Sequence, residues 1–558
     1  MRLAVAILVV AAGCSGGVRQ LGAQPSWRSS AGDSHGRAAP AAPVLTFAPT
    51  SEPARSYNEP VEAPPHTPLG DATLAALHAA ASDAHLPTPV ADGRLFRACG
   101  QLAQVVPEEG VVGNEFLSFA LQRNGIVEPL SHLIVVWGDV DAPQEFVDQL
   151  RPKLAEMLAD SPTARIGVGA LKRNADGTGA IVFAMLSSGV ATSPIPRALP
   201  KGGTAPIDAV LDGRFKDPEV FVTREDGSVA QLALALGRSG GFKAAIACGA
   251  HVGRQQIEIS ATAATGGTEL AIFPVWCGVD PPSSLTITPT SDDGDVASAS
   301  AAEQRLFALA NRDRAAAGLP PLVWDDRVAA VARAYSEEMR RTNVVAHISP
   351  ISGAPDDRVR AGKIKTAVVL ENVARAYSVG EAHAGLMNSP AHRANLLSRS
   401  ATHLGIGVAL GDHVSASSHE LFVTQVFIRI PPKIDPQSVA EQVHQKIDHV
   451  RAVHIDSELA ASAQQLASGL AAGKSRDSLW SGAKKQLDEL GSRYARVGSV
   501  ITAVVDTDTI DGASLIGDYK PDSIGVGIAQ GTHPELGEGA VWIVVLMGER
   551  NSAATTNH

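Results

Sequence analysis

The sequence predicts an α+β multidomain protein, and three observations carry that prediction. Its 558 residues exceed what one hydrophobic core usually holds, so about three to four domains are expected. A pair of phrases recurs three times in the same order: an Asp leading an amphipathic helical stripe, then, roughly 70 to 80 residues later, a Gly-X-Gly run ahead of a β-rich stretch. Between the first and second occurrences, helical periodicity gives way to short apolar runs separated by turn signals. Composition narrows the function classes. With 19% charged residues and a net charge of -11, there is no basic excess to neutralise phosphates, so nucleic acid is not an expected partner. The chain is 45% hydrophobic, enough to build cores, and no apolar run reaches the ~20 residues that cross a bilayer. At 4% aromatic, a large stacking surface for sugars or bases is not expected.

Residues 1–14 begin with one Arg and an apolar run from Leu3 to Ala12, too short to span, which is the pattern of an export signal. Ala11-Ala12-Gly13 directly before Cys14 resembles the bacterial lipobox, which implies lipidation of Cys14, with Ser15 favouring the outer membrane. An ordinary signal peptide with an incidental cysteine is the alternative. With Cys14 lipidated, acyl chains would hold the protein to the membrane at about 0.8 kcal/mol per buried methylene. Residues 15–67, rich in Ala, Pro, Ser and Gly, read as a disordered tether.

The recurring phrases define three units. Residues 68–190 contain Asp92 and Ile166-Gly-Val-Gly-Ala170; residues 301–430 contain Asp325 and Leu404-Gly-Ile-Gly-Val-Ala409; residues 433–550 contain Asp456 and Ile524-Gly-Val-Gly-Ile-Ala529. In the middle unit the stripe is Val328, Val331, Ala332, Tyr335 and Met339. Residues 200–285 alternate AVLDGRF, EVFVTREDGSVAQLALAL, QQIEISATA and TELAIFPVWCGV around Asp226-Gly227 and Gly266-Gly267 turns, which predicts a small antiparallel β-sandwich. Cys248 and Cys277 end apolar runs there and are expected to pair in an exported protein, leaving Cys99 as a buried thiol on a helix face. Residues 286–300 read as a linker. The run Gly469 to Ser475 is one residue short of a P-loop and sits in a helical pattern, so it is not a phosphate site.

Chemistry-bearing residues concentrate in the middle unit: AHISP (His347, Ser349), DDRVRAGK, LENVARA (Glu371, Asn372) and MNSPAHRANLL (Asn388, Ser389, His392, Asn395). With these phrases, residues 301–430 resemble the CAP superfamily (cysteine-rich secretory, antigen 5 and pathogenesis-related 1 proteins) in its cysteine-poor bacterial form. The resemblance implies an α-β-α sandwich with a cavity holding His347, Glu371 and His392, supported by Ser349, Asn372, Asn388, Ser389 and Asn395. It also implies a divalent metal such as zinc on His347 and His392; two imidazoles make a thin ligand set, so such a site should be open, weak and exchangeable. A second acid found in many relatives falls near Asn388-Ser389, where this unit has no carboxylate. Tyr335 replaces a histidine of many bacterial relatives and is expected to be packed. In the flanking units Asn114 falls opposite His347, and no histidine lies between His454 and His533, so both read either as degenerate CAP-like copies or as unrelated α/β domains with a convergent turn.

Two function classes follow. The favoured one is a lipid-anchored, surface-displayed or periplasmic binding protein whose ligand is a lipid, a cell-wall component, a protein or a metal ion. The rival is a metal-dependent hydrolase, peptidase-like, using His347, Glu371 and His392; the absent second carboxylate counts against it.

Overall fold

A computed structural model describes residues 45–106, 113–161, 164–287, 296–415, 418–491 and 493–549. The export segment and Cys14 lie outside the described residues. No helix among the described residues is long and apolar enough to cross a membrane.

Three four-stranded sheets share one spatial order. In the first unit it is Val90–Ala91, Ala164–Lys172, Thr178–Ser187, Leu130–Asp139; in the middle unit Val323–Trp324, His403–Ser415, Ser418–Ile428, Val369–Ala376; in the third His454–Ile455, Ser523–His533, Gly537–Glu549, Arg496–Val504. The leading dipeptide strand pairs parallel with the glycine-bearing strand in each, and the other pairings are antiparallel.

The physical link between the two recurring phrases is visible in every unit. Asp92, Asp325 and Asp456 each cap the N-terminus of the following helix with a side-chain carboxylate. The backbone N–H of each same Asp donates to the residue that opens the glycine phrase: Ile166, Leu404 and Ile524. The helix is thereby laid directly over the glycines. A Cβ at Gly167, Gly169, Gly405, Gly407, Gly525 or Gly527 would fall 2.1–2.5 Å from helix backbone atoms, so only glycine permits the approach.

The cap energy is testable in the third unit. Asp456 accepts from the N–H groups of Glu458 and Leu459 at 2.9 and 3.0 Å. Asp456→Ala is expected to lose about 1 kcal/mol, read as roughly fivefold faster hydrogen exchange along the helix Ser457–Ala471, whereas Asp456→Asn should retain most protection.

A different domain lies between the first two units. Its four-stranded sheet runs Ala235–Leu236, Gly241–Ala247, Thr204–Leu211, Val190–Thr192; its five-stranded sheet runs Val229–Gln231, Lys216–Thr223, Gly253–Ala263, Gly266–Cys277, Ala198–Leu199. Ile207, Phe242, Ile246, Val220, Ile257 and Phe273 share one core. Cys248 and Cys277 are bonded, with Cα atoms 5.5 Å apart. Cys99 is buried in the first unit, and burial pushes its thiol far above the usual range, so it is not a reactive thiolate.

Three sequence boundaries require correction. The two-sheet domain takes strands from Val190 onward, before residue 200. The segment 45–67 is packed rather than a free tether: Leu45–Phe47 pairs with Leu285–Ile287, and Tyr57 is buried with its hydroxyl donating to Pro274 O at 2.7 Å. Phe47 meets Phe116 and Phe119 edge-on at 6.0 and 5.7 Å. Pro/Ala-rich composition masked two aromatic anchors, each worth about 1.5–3 kcal/mol when buried. The same pairing makes Leu285–Ile287 a strand, so the linker expected over 286–300 begins inside a sheet; at its other end a helix starts at Ala299.

Candidate functional site

The site starts from one buried carboxylate. Glu371 stands on the strand Val369–Ala376 with its side chain 1% exposed. Its Oε1 lies 3.0 Å from His347 Nδ1, and its Oε2 accepts from the Arg358 guanidinium at 2.6 Å. Arg358, on the short helix Pro355–Ala361, also donates to the carbonyls of His347 at 3.1 Å and Gly353 at 2.5 Å. Its guanidinium carbon sits 3.5 Å from the centroid of the Tyr335 ring, and the Tyr335 hydroxyl donates to Ala346 O. Three side chains, Glu371, Arg358 and Tyr335, thus fix the loop that presents His347. Ser349 belongs to that scaffold: its hydroxyl donates to Glu338 and accepts from the N–H groups of Ile351 and Ser352. Its hydroxyl is engaged in holding the turn.

His392 is held from below and behind. Ser389 caps the helix Pro390–Leu396, its Oγ accepting from His392 N at 3.3 Å and lying 2.8 Å from His392 Nδ1. Asn372 Nδ2 donates to His392 O at 3.2 Å and to Gln425 Oε1 at 3.1 Å. Asn395 Nδ2 donates to Asn372 Oδ1 at 2.9 Å and Glu371 O at 3.2 Å, which ties strand to helix. The two imidazole centroids are 6.4 Å apart, with 33° between the planes. His347, Glu371, Ser389, Asn372, Asn395 and His392 are therefore brought together, whereas Asn388 faces outward to accept from Arg254 at 2.7 Å.

That last contact comes from the two-sheet domain, which lies over the site. Glu258, on its strand Gly253–Ala263, accepts from Ser389 Oγ at 2.6 Å and from Ala391 N at 3.2 Å. At the tip of the following hairpin, Thr265 O accepts from Ile348 N at 2.9 Å. Gly266, with φ of +101°, leaves room there: a Cβ would fall 3.0 Å from that of His347. One expectation changes. A carboxylate from another domain stands beside Ser389, where the unit itself has none, and His392 is buried while the His347 side chain stays 20% exposed. The sequence carried no local signal for this. Gln256, Glu258 and Ser260 alternate with Ile257 and Ile259, the pattern of a strand with one wet face, yet all three polar residues are buried. Arg358 was within a noted phrase, but its tertiary partner was not readable from it.

The donor chemistry suits a two-imidazole metal site. Among the described residues, three residues of metal-ligand type converge within 4.8 Å only at Glu225, Cys248 and Cys277. There the sulfurs are consumed by the disulfide, which removes the thiolate a metal needs. Glu371 is engaged by His347 and Arg358, so it orients an imidazole rather than adding a third ligand. At a tetrahedral ion with metal–nitrogen bonds of about 2.0–2.1 Å, two imidazole centroids lie roughly 5 Å apart. The observed centroids are 6.4 Å apart, wider than that spacing.

Residues 307–427 match the family described as CAP, cysteine-rich secretory protein family. Over 107 residues the chain is 38% identical to the uncharacterized membrane protein YlbC of Bacillus subtilis (strain 168), covering 19% of this chain and 31% of that protein. Over 123 residues it is 36% identical to the uncharacterized protein YkwD of the same organism, covering 22% and 47%. The chain thus spans about a third to a half of the length of these relatives. Among solved structures, an extracellular protein containing a SCP domain from Bacillus anthracis str. Ames is similar at 24% identity, covering 32% of this chain and 64% of that one, with a TM-score of 0.21.

Proposed function

We propose, from the match of residues 307–427 to the CAP family, that the protein is an exported, cell-surface or periplasmic binding protein whose His347 and His392 hold a divalent cation such as zinc. The single observation that carries the reading is the partnering of both rings at Nδ1, by Glu371 Oε1 at 3.0 Å and by Ser389 Oγ at 2.8 Å. With Nδ1–H donated to those oxygens, Nε2 is the acceptor nitrogen of each ring, the tautomer that a metal requires. A bound cation would add exchangeable coordination positions for an oxygen-bearing ligand. This chain's residues set ring orientation and limit access from solvent. Binding is favoured over metal-dependent hydrolysis because Glu371 is engaged by His347 and Arg358 rather than placed to activate water.

In this reading Cys14 carries the lipid anchor, and the two flanking units are CAP-like copies without the His pair. Their common sheet order and the Asp–glycine contact support descent from one unit. A β-sandwich between them serves as a cover for the middle unit, and the ligand is a lipid, a cell-wall component or a protein.

Zinc titration of the full chain tests the proposal. Wild type is expected to bind one ion, and His347→Ala and His392→Ala should each weaken binding by more than about 100-fold, beyond the 10–100-fold of outer partners. Wild-type affinity in both variants would overturn it.

A further inference from the structure

We infer that Glu258, contributed by the two-sheet domain, is a positioning residue for His392, so that the His pair has its working tautomer only when the two domains are docked. The inference rests on the metal-binding reading for its consequence, though not for its geometry.

The chain of contacts is direct. The Ser389 hydroxyl has one proton to give, and it gives it to Glu258 Oε2 at 2.6 Å. A hydroxyl so committed can only accept from the imidazole, and His392 Nδ1 lies 2.8 Å from it. The proton of His392 is thereby placed on Nδ1, with Nε2 as acceptor. Without Glu258, the same hydroxyl is at liberty to donate to Nδ1, which moves the ring proton to Nε2 and opposes metal binding. His347 reaches the equivalent state through Glu371 of its own domain, so the two imidazoles are set by carboxylates of two different domains.

A purely mechanical role for Glu258 explains less. It is 2% exposed, and its second hydrogen bond, from Ala391 N at 3.2 Å, also ends in the CAP domain. Burying a carboxylate to join two surfaces costs more than an apolar contact of the same volume. Arg254, which donates to Asn388 Oδ1 at 2.7 Å, already supplies a polar tie at the same interface without reaching His392. An acceptor oxygen at this position holds the Ser389 hydroxyl as an acceptor toward His392, which the Arg254 contact does not do.

The experiment uses the full chain, metal-free, labelled with ¹⁵N at histidine. His392 is expected to give the Nδ1–H tautomer in wild type and a mixture with Nε2–H in Glu258→Ala. Zinc affinity should fall about 10–100-fold in Glu258→Ala. Ser389→Ala should have an effect of similar size, not additive with Glu258→Ala. Glu258→Gln keeps an acceptor oxygen and should restore most of the wild-type signal. Arg254→Met weakens the same interface and should leave the His392 tautomer unchanged. An unchanged tautomer in Glu258→Ala would overturn the inference, as would an equal change in Arg254→Met. Absence of zinc binding by wild type would instead sink the metal reading, and the tautomer comparison would still decide the role of Glu258.

Discussion

Replacing Arg358 by Met is expected to destabilise the CAP domain by about 3–5 kcal/mol, the usual penalty for stripping one member from a buried ion pair. Arg358 and Glu371 have side chains only 5% and 1% exposed, so the carboxylate left behind cannot recover its energy from water. Met preserves much of the apolar stem over Tyr335 and isolates the loss of charge. The His347 and Gly353 carbonyls lose a donor at the same time. Because several domains unfold in one chain, a single melting temperature is ill-defined, and local hydrogen exchange is the better measure. Amides of the strand Val369–Ala376 should exchange about two to three and a half orders of magnitude faster. Arg358→Met combined with Glu371→Gln should recover a large part of the loss, since no unpaired charge then remains. Equal losses in the single and double variants would show that the ion pair is not the source. The His347 loop should also loosen in the single variant, with zinc affinity falling alongside.

Legibility of the site followed the distance between partners along the chain. His347, Glu371 and His392 were readable because each sits in a compact phrase whose neighbours also fix it: Ser389 lies three residues from His392, and Asn372 is adjacent to Glu371. Arg358 was present in such a phrase, yet its role depends on a strand 13 residues away and on a ring in another helix. Glu258 lies 131 residues from Ser389, on a strand whose alternation predicts a solvent face. Nothing local distinguishes a polar strand face that meets water from one that meets a second domain. The packed segment 45–67 was hidden for a related reason. Its anchors Phe47 and Tyr57 are single residues in Pro/Ala-rich sequence, and single residues create no periodicity.

The repeated architecture was readable because its two phrases meet in space, and that contact supports the second large prediction. Gly407→Val is expected to cost about 3 kcal/mol or more, the upper end for overpacking. A Cβ there would fall 2.2 Å from Ala332 C and Arg333 N, which are backbone atoms and cannot rotate away. Neither side can retreat easily. At Gly407 the strand His403–Ser415 is paired with Ser418–Ile428, and the helix Asp326–Thr342 is fastened by the Asp325 cap and by Ser336 Oγ donating to Gly407 O at 2.9 Å. Lifting the helix would carry Tyr335 away from the Arg358 guanidinium and so disturb the His347 loop, which makes zinc affinity a second readout. Gly385→Ala is the control: it lies in the helix Val379–Asn388 with open space around its Cβ, and should be neutral or up to about 1 kcal/mol stabilising. A Gly407→Val chain as protected from exchange as Gly385→Ala would mean that the helix and strand have room between them. The glycines would then record common ancestry rather than a packing requirement. A large loss at Gly407 matched by Gly527→Val in the third unit would establish that the same close contact holds both sheets to their helices.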